Sequence, residues 1–253
     1  MKKRSFKPTL AVAAAILISV GVISFSDKVS AHEDAKEYEV AGVKLGGQLY
    51  DKWYKVLGVE VSGTHPLYPP EGKKSGDDTY RCKECHGWDY IGKDGRYRKG
   101  SHYTGIKGVY DARTKSAEEL TRILTDPAGG HGMKELSADP ANVRALVTFI
   151  REGLIDPDSV FNADGTVKGD PARGKPLYES VCAKCHGKDG NNLDFDKKDK
   201  GVQGVGWLAR DNPQETLHKI RWGHPGSKMP SAVVDEGLKD SETVDLLKYS
   251  QTL

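Results

Sequence analysis

Apolar positions recur at helical spacing in two stretches of the chain. Val143, Leu146, Val147 and Ile150 share one face between Ala141 and Glu152, and Val244, Leu247 and Tyr249 do so between Glu242 and Gln251. Two more helices are marked by their first residues. Ser116-Ala117-Glu118-Glu119 has the form of a capping box and predicts a helix through about Leu124. Asn212-Pro213-Gln214-Glu215 opens another, with the proline suited to a first helical turn. The elements marked in this way are all helices, so the chain reads as all-α.

The N-terminus has a different pattern. Lys2, Lys3, Arg4 and Lys7 precede an uncharged apolar run of 16 residues, Leu10 to Phe25, and Val29-Ser30-Ala31 comes next with small residues. This is the layout of a secretory signal over residues 1–31. The run is short for a spanning helix, which needs about 20 apolar residues. The alternative is an uncleaved membrane anchor, and either reading places the remainder outside the cytoplasm, as in a periplasm. Removing the five basic residues and one acid of 1–31 from the totals of 38 and 36 leaves 33 and 35, a net charge of −2.

The whole chain has 253 residues, 37% of them hydrophobic and 29% charged, with a mean hydropathy of −0.59. That composition belongs to a soluble globular protein and excludes a polytopic membrane protein or a disordered chain. A net charge so near zero gives no reason to expect a nucleic-acid partner.

The four cysteines fall in two identical patterns, Cys82-Lys83-Glu84-Cys85-His86 and Cys182-Ala183-Lys184-Cys185-His186. C-x-x-C-H reads as c-type haem attachment. Two thiols three residues apart on a helical turn can each bond one vinyl group of the same porphyrin, and the adjoining histidine offers an imidazole nitrogen to the iron. A zinc site would need closer spacing than the 96 residues between the pairs. A disulfide framework leaves the two histidines unexplained, and a thioredoxin-like pair lacks a βαβ context. The expected cofactors are therefore two covalently bound haem c groups, with His86 and His186 as iron ligands.

A second axial ligand is expected at each iron. Once Met1 leaves with the signal, two methionines remain, Met133 and Met229, lying 47 residues after His86 and 43 after His186. Each comes after a glycine-rich stretch, Gly129-Gly130-His131-Gly132 or Gly223-His224-Pro225-Gly226, where filling a core is not the obvious role. Both are taken as metal ligands. His131, His102 and His65 compete at the first site and His224 at the second.

The chain also repeats itself. Cys82 and Cys182 are 100 positions apart, as are Leu146 and Leu246, and Phe149 and Tyr249. Gly47-Gln48-Leu49-Tyr50 echoes Gly174-Lys175-Pro176-Leu177-Tyr178, and Tyr110-Asp111-Ala112-Arg113 echoes Trp207-Leu208-Ala209-Arg210. On these motifs each half resembles a class I cytochrome c domain, and the whole is similar to dihaem c-type cytochromes. The resemblance implies two tandem all-α domains, each wrapped around a covalent haem. It also implies that Gly47/Tyr50 and Gly174/Tyr178 lie where a first helix crosses a last one, with Leu146/Phe149 and Leu246/Tyr249 facing them.

The domains are expected at 32–153 and 169–253, joined by a linker at 154–168 in which Asp164-Gly165 favours a turn. Gly47 precedes Cys82 by 35 residues and Gly174 precedes Cys182 by 8. The first domain thus carries an insertion of 27, at about 56–79, which is a surface loop, a partner-docking surface or a cover over the first haem.

Electron transfer between redox partner proteins is the expected function. Histidine–methionine ligation fills both axial positions and raises the reduction potential. Arg113 and Arg210 are candidates to pair with haem propionates. The competing readings are a dihaem oxidoreductase, similar to thiosulfate dehydrogenases or peroxidases, which needs one iron open to substrate, and a cytochrome subunit of a dehydrogenase or respiratory oxidase. The second domain has 85 residues and a thin core of its own. Haem should therefore supply much of its buried surface, and the apo chain is expected to melt well below the holo chain and without cooperativity by calorimetry.

Overall fold

The computed structural model of the chain describes residues 25–129, 131, 133–195 and 201–253, with side chains described from residue 41 onward. The basic start and all but the last position of the apolar run lie in residues 1–24, outside the described residues. The chain divides into two units, Met1–Lys36 and Glu37–Leu253. The described part of the first, residues 25–36, is helical. Both cysteine pairs and every described side chain belong to the second.

The architecture is all-α, about 53% helical, with no strand among the described residues. Helix α1 spans Phe25–Leu57 and is interrupted at Lys52, whose φ of −155° and ψ of 70° are not helical. Short helix α2, Cys82–His86, carries the first cysteine pair. Then come α3 (Ala117–Thr125), α4 (Lys134–Ser137) and α5 (Pro140–Thr148), the last continuing as a widened π-type turn over Phe149–Gly153. After α6 (Pro157–Val160), α7 (Pro171–Leu177) runs through a second such turn, Tyr178–Cys182, into α8 (Ala183–His186). Helices α9 (Val205–Asp211), α10 (Pro213–Trp222) and α11 (Asp240–Ser250) complete the chain.

The capping residues act as the sequence indicates. Ser116 Oγ accepts from the Glu119 N–H at 3.1 Å and Asn212 Oδ1 from the Glu215 N–H at 3.4 Å. In the connection between the halves, Gly165 has a φ of +82° and a single antiparallel bridge pairs Phe161 with Val167, a minimal hairpin.

The helix crossings explain the repeated glycines. A Cβ on Gly174 of α7 would stand 2.0 Å from the carbonyl oxygen of Asp245 in α11. In the first half the equivalent residue is Gly46, whose Cβ would meet the Ala145 carbonyl oxygen at 2.1 Å and Phe149 Cβ at 2.4 Å. The repeat points to Gly47 for this role, and the packing corrects it. A Cβ on Gly47 would instead meet Trp222 of the second half, at 2.6 Å. Gly46 to Tyr50 and Gly174 to Tyr178 are both four-residue steps, so the true register of the repeat is one residue earlier. The expected facing pairs hold, with Tyr50 and Phe149 rings 5.6 Å apart and Tyr178 and Tyr249 rings 5.5 Å apart.

The halves share a core. His218 of α10 is fully buried beside the rings of Tyr50, Trp88, Tyr90 and Phe149. Its Nε2 lies 2.9 Å from the Gly47 carbonyl oxygen and its Nδ1 2.7 Å from the Tyr90 hydroxyl. A neutral imidazole satisfies both partners, donating from Nε2 and accepting at Nδ1. Tyr97 donates to Asn212 Oδ1 at 2.7 Å, Gln48 to the Trp222 carbonyl at 3.0 Å, and Lys44 pairs with Asp235 at 2.6 Å. Burial lowers the His218 pKa from 6.5 to about 4. Because the folded value lies below the unfolded one, its contribution to stability is complete above pH 6.5 and is lost as pH falls toward 4. His218→Gln should flatten the dependence of unfolding free energy on pH between 6.5 and 4, as measured by urea titration at several pH values.

Candidate functional site

The first cysteine pair stands on a single turn of helix, so the i, i+3 spacing puts Cys82 and Cys85 on one side with His86 beside them. Gly87 ends that turn with a φ of +80°, and Gly187 ends α8 with +81°. The Tyr50 hydroxyl donates to the Gly87 carbonyl at 2.6 Å and the Tyr178 hydroxyl to the Gly187 carbonyl at 2.9 Å. The same tyrosine–glycine bond thus closes the turn in both halves.

Cys82, Cys85 and His86 line one cavity of about 310 Å³, walled by apolar side chains such as Ile106, Val109, Leu124, Leu146 and Ile150. Its volume is at the lower end of the range for small-molecule sites, roughly 300–1,000 Å³. A neighbouring cavity of about 470 Å³ shares His65, Leu67, Tyr80 and Met133 with it. Neither cysteine is in a disulfide. Burial pushes the Cys82 thiol up to about 12 and the Cys85 thiol to about 11, so both are uncharged at neutral pH, as apolar walls require.

His86 Nδ1 is 2.7 Å from the Lys107 carbonyl oxygen. Burial lowers its pKa to about 4, so the ring is neutral. A proton on Nδ1 satisfies that carbonyl and leaves the Nε2 lone pair for a metal, the arrangement that orients metal-binding histidines generally. The donor set, the unbonded thiols and the apolar space together fit a covalently held haem. Among the described residues no group of three or more His, Cys, Asp or Glu side chains is placed to hold a bare metal ion.

Of the candidate sixth ligands, Met133 and His131 both line this cavity, and the His131 ring lies 5.9 Å from that of His86. His65 lines it too, but its Nδ1 accepts from the Leu67 N–H at 3.1 Å and its ring packs edge-on against Tyr80. His102 is outside, 3.2 Å from Glu84 Oε1. The insertion therefore walls the first site, through His65, Leu67 and Thr79, and is more than a surface loop.

The second site is more open. Cys182 is half-buried, with its thiol pushed up to about 12 by burial, and Cys185 is exposed. His186 Nδ1 is buried with no hydrogen-bond partner among the described residues, and Phe195 lies 6.1 Å from the ring. Met229 is half-buried, its N–H donating to Ser227 Oγ at 3.1 Å and its carbonyl accepting from the His224 N–H at 3.3 Å. His224 is held well down, to about 4, by burial and by Lys219.

Arg113, the expected propionate partner at the first site, does not line the first cavity. Arg113 lies over the Tyr110 ring at 3.8 Å, and Arg210 donates to the carbonyls of Gln251 and Leu253. The cationic residues lining that cavity are Arg81 and Lys107. Arg81 is buried beside Cys82. It pairs with Asp51, donates to the Asp51 carbonyl at 2.9 Å and reaches Asp78 at 2.9 Å. Burial alone would raise the Asp51 carboxyl, but the Arg81 guanidinium outweighs it and holds the group at about 2.

Residues 169–249 match the family model described as Cytochrome C oxidase, cbb3-type, subunit III. That stretch is a cytochrome c domain, a module that binds haem c covalently and transfers electrons to redox partners. The match covers about a third of the chain and supports a c-type cytochrome. No curated protein and no solved structure matches the chain.

Removing the Tyr50 hydroxyl tests how firmly the attachment turn is closed. Tyr50→Phe should cost about 0.5–1.5 kcal/mol, seen as a lower urea midpoint at unchanged slope.

Proposed function

We propose that this chain is an exported dihaem cytochrome c that carries electrons between redox proteins. One observation supports it above the others. The Cys-x-x-Cys-His-Gly turn occurs twice, each time ended by a left-handed glycine and each time bonded by a buried tyrosine four residues after a crossing glycine. The second copy lies inside the matched cytochrome c domain, and the first has the same construction on a fuller cavity. Two cytochrome c domains, 32–153 and 169–253, are the natural division on this reading.

A bound haem c supplies a one-electron couple at its iron. The protein's residues do the rest. Cys82, Cys85, Cys182 and Cys185 tether the two groups, and His86 and His186 offer the proximal nitrogens. The Lys107 carbonyl fixes the His86 tautomer. The first cavity is walled largely by apolar side chains. Met229 would hold the iron of the second group, and the segment carrying His131 and Met133 that of the first. With both positions filled on each iron, neither offers a vacant site to a substrate. Export is inferred from the signal-like N-terminus, and a membrane is involved only if that segment is retained.

A second reading is favoured by the description of the matched family as an oxidase subunit. On that reading the chain works within a respiratory complex, and stable co-purification with an oxidase would select it over a free shuttle.

Haem quantification and intact mass test the main reading. Exported wild type should carry two haems. The paired variants Cys82→Ala/Cys85→Ala and Cys182→Ala/Cys185→Ala should carry one each. A single haem in wild type would overturn the dihaem assignment, and a colourless chain would overturn haem attachment altogether.

A further inference from the structure

Granted a haem at Cys82 and Cys85, as proposed above, we infer that His131, not Met133, takes the second axial position at the first site. The chain then holds one bis-histidine haem and one histidine–methionine haem.

The His86 and His131 rings are nearly parallel, 18° apart in plane, with centroids 5.9 Å apart. That is the separation expected when one metal ion lies between two imidazoles. Metal–nitrogen bonds of about 2.0–2.1 Å, with the ring radius added on each side, put the centroids roughly 6 Å apart. His131 Nδ1 is also buried with no hydrogen-bond partner among the described residues. A buried imidazole nitrogen left unpaired is costly, and a place facing His86 across the cavity gives this ring a function.

Met133 is otherwise engaged. Its side chain packs against the hydrophobic core and lies on the wall shared by the two cavities. Its backbone is committed as well, its N–H donating to the His131 carbonyl and its carbonyl accepting from the Ser137 N–H at 3.0 Å at the start of α4. A methionine so placed does what methionine does in cores, filling an irregular gap. The rival histidines are spoken for, His65 by the Leu67 N–H and Tyr80, and His102 by Glu84.

The ligand difference sets the direction of flow. Methionine ligation raises the potential of a c-type haem, so the first haem is the lower-potential one and electrons run from it to the second.

The test uses the exported holoprotein and its two-haem content as a baseline. The near-infrared sulfur-to-iron band of the oxidised protein should have the intensity of one such centre per two haems. Met133→Leu, a volume-conserving change, should leave the low-spin spectrum and the band intensity unchanged. His131→Ala should turn one haem high-spin, or add a second sulfur band if Met133 is recruited, and added imidazole should restore the original spectrum. Two centres' worth of band in wild type, halved by Met133→Leu, would overturn the inference while leaving the dihaem reading intact. A wild type with fewer than two haems would instead count against the dihaem reading.

Discussion

The arrangement of this chain rests on a single buried imidazole. His218 comes from the C-terminal half but sits among the aromatic rings of the N-terminal half, with each ring nitrogen given one partner. A residue that is polar, fully enclosed and satisfied on both sides allows only one docking arrangement, because any slip would leave a buried donor or acceptor unpaired. The first Cys-x-x-Cys-His turn is tied to this contact. Tyr50, which packs against His218, is the same residue that closes the first turn through Gly87.

The two sites differ within a shared plan. The first is walled by several segments of chain, including the stretch between α1 and α2 that has no counterpart in the second half. In the second, one cysteine is exposed. A site with apolar walls and a buried ion pair alongside, Arg81 with Asp51, offers a less polar environment than an open one. Equal motifs thus sit in unequal surroundings.

Much of this is legible in the amino acids. Helix starts at Ser116 and Asn212 carry their own hydrogen-bonding chemistry, so local sequence suffices to place them. The cysteine–histidine pattern is equally local. The repeat is visible but its register is not, because Gly46 and Gly47 are adjacent and only packing shows which one faces the Ala145 carbonyl. His218 is invisible for a similar reason, since a histidine on an amphipathic helix looks the same whether it points to water or into a neighbouring half. Arg113 and Arg210 are corresponding positions of the repeat, yet their partners depend on where Tyr110 and the last residues of the chain fall. Arg81, one position before Cys82, escapes notice because a charged residue beside a motif gives no sign of burial.

The widened turn before the second attachment site has one more implication. Each residue of a helix advances the chain by about 100° around the axis. The segment Tyr178–Cys182 therefore fixes the azimuth at which Cys182 and Cys185 emerge relative to the tyrosine that anchors them. Excising any one residue there would rotate the thiols away from the side that Tyr178 and Gly187 hold, with hardly any change in composition or hydrophobicity. Between α1 and α2 the chain accommodates many added residues without disturbing the attachment turn. In the second half its length just ahead of the cysteines is a fixed quantity.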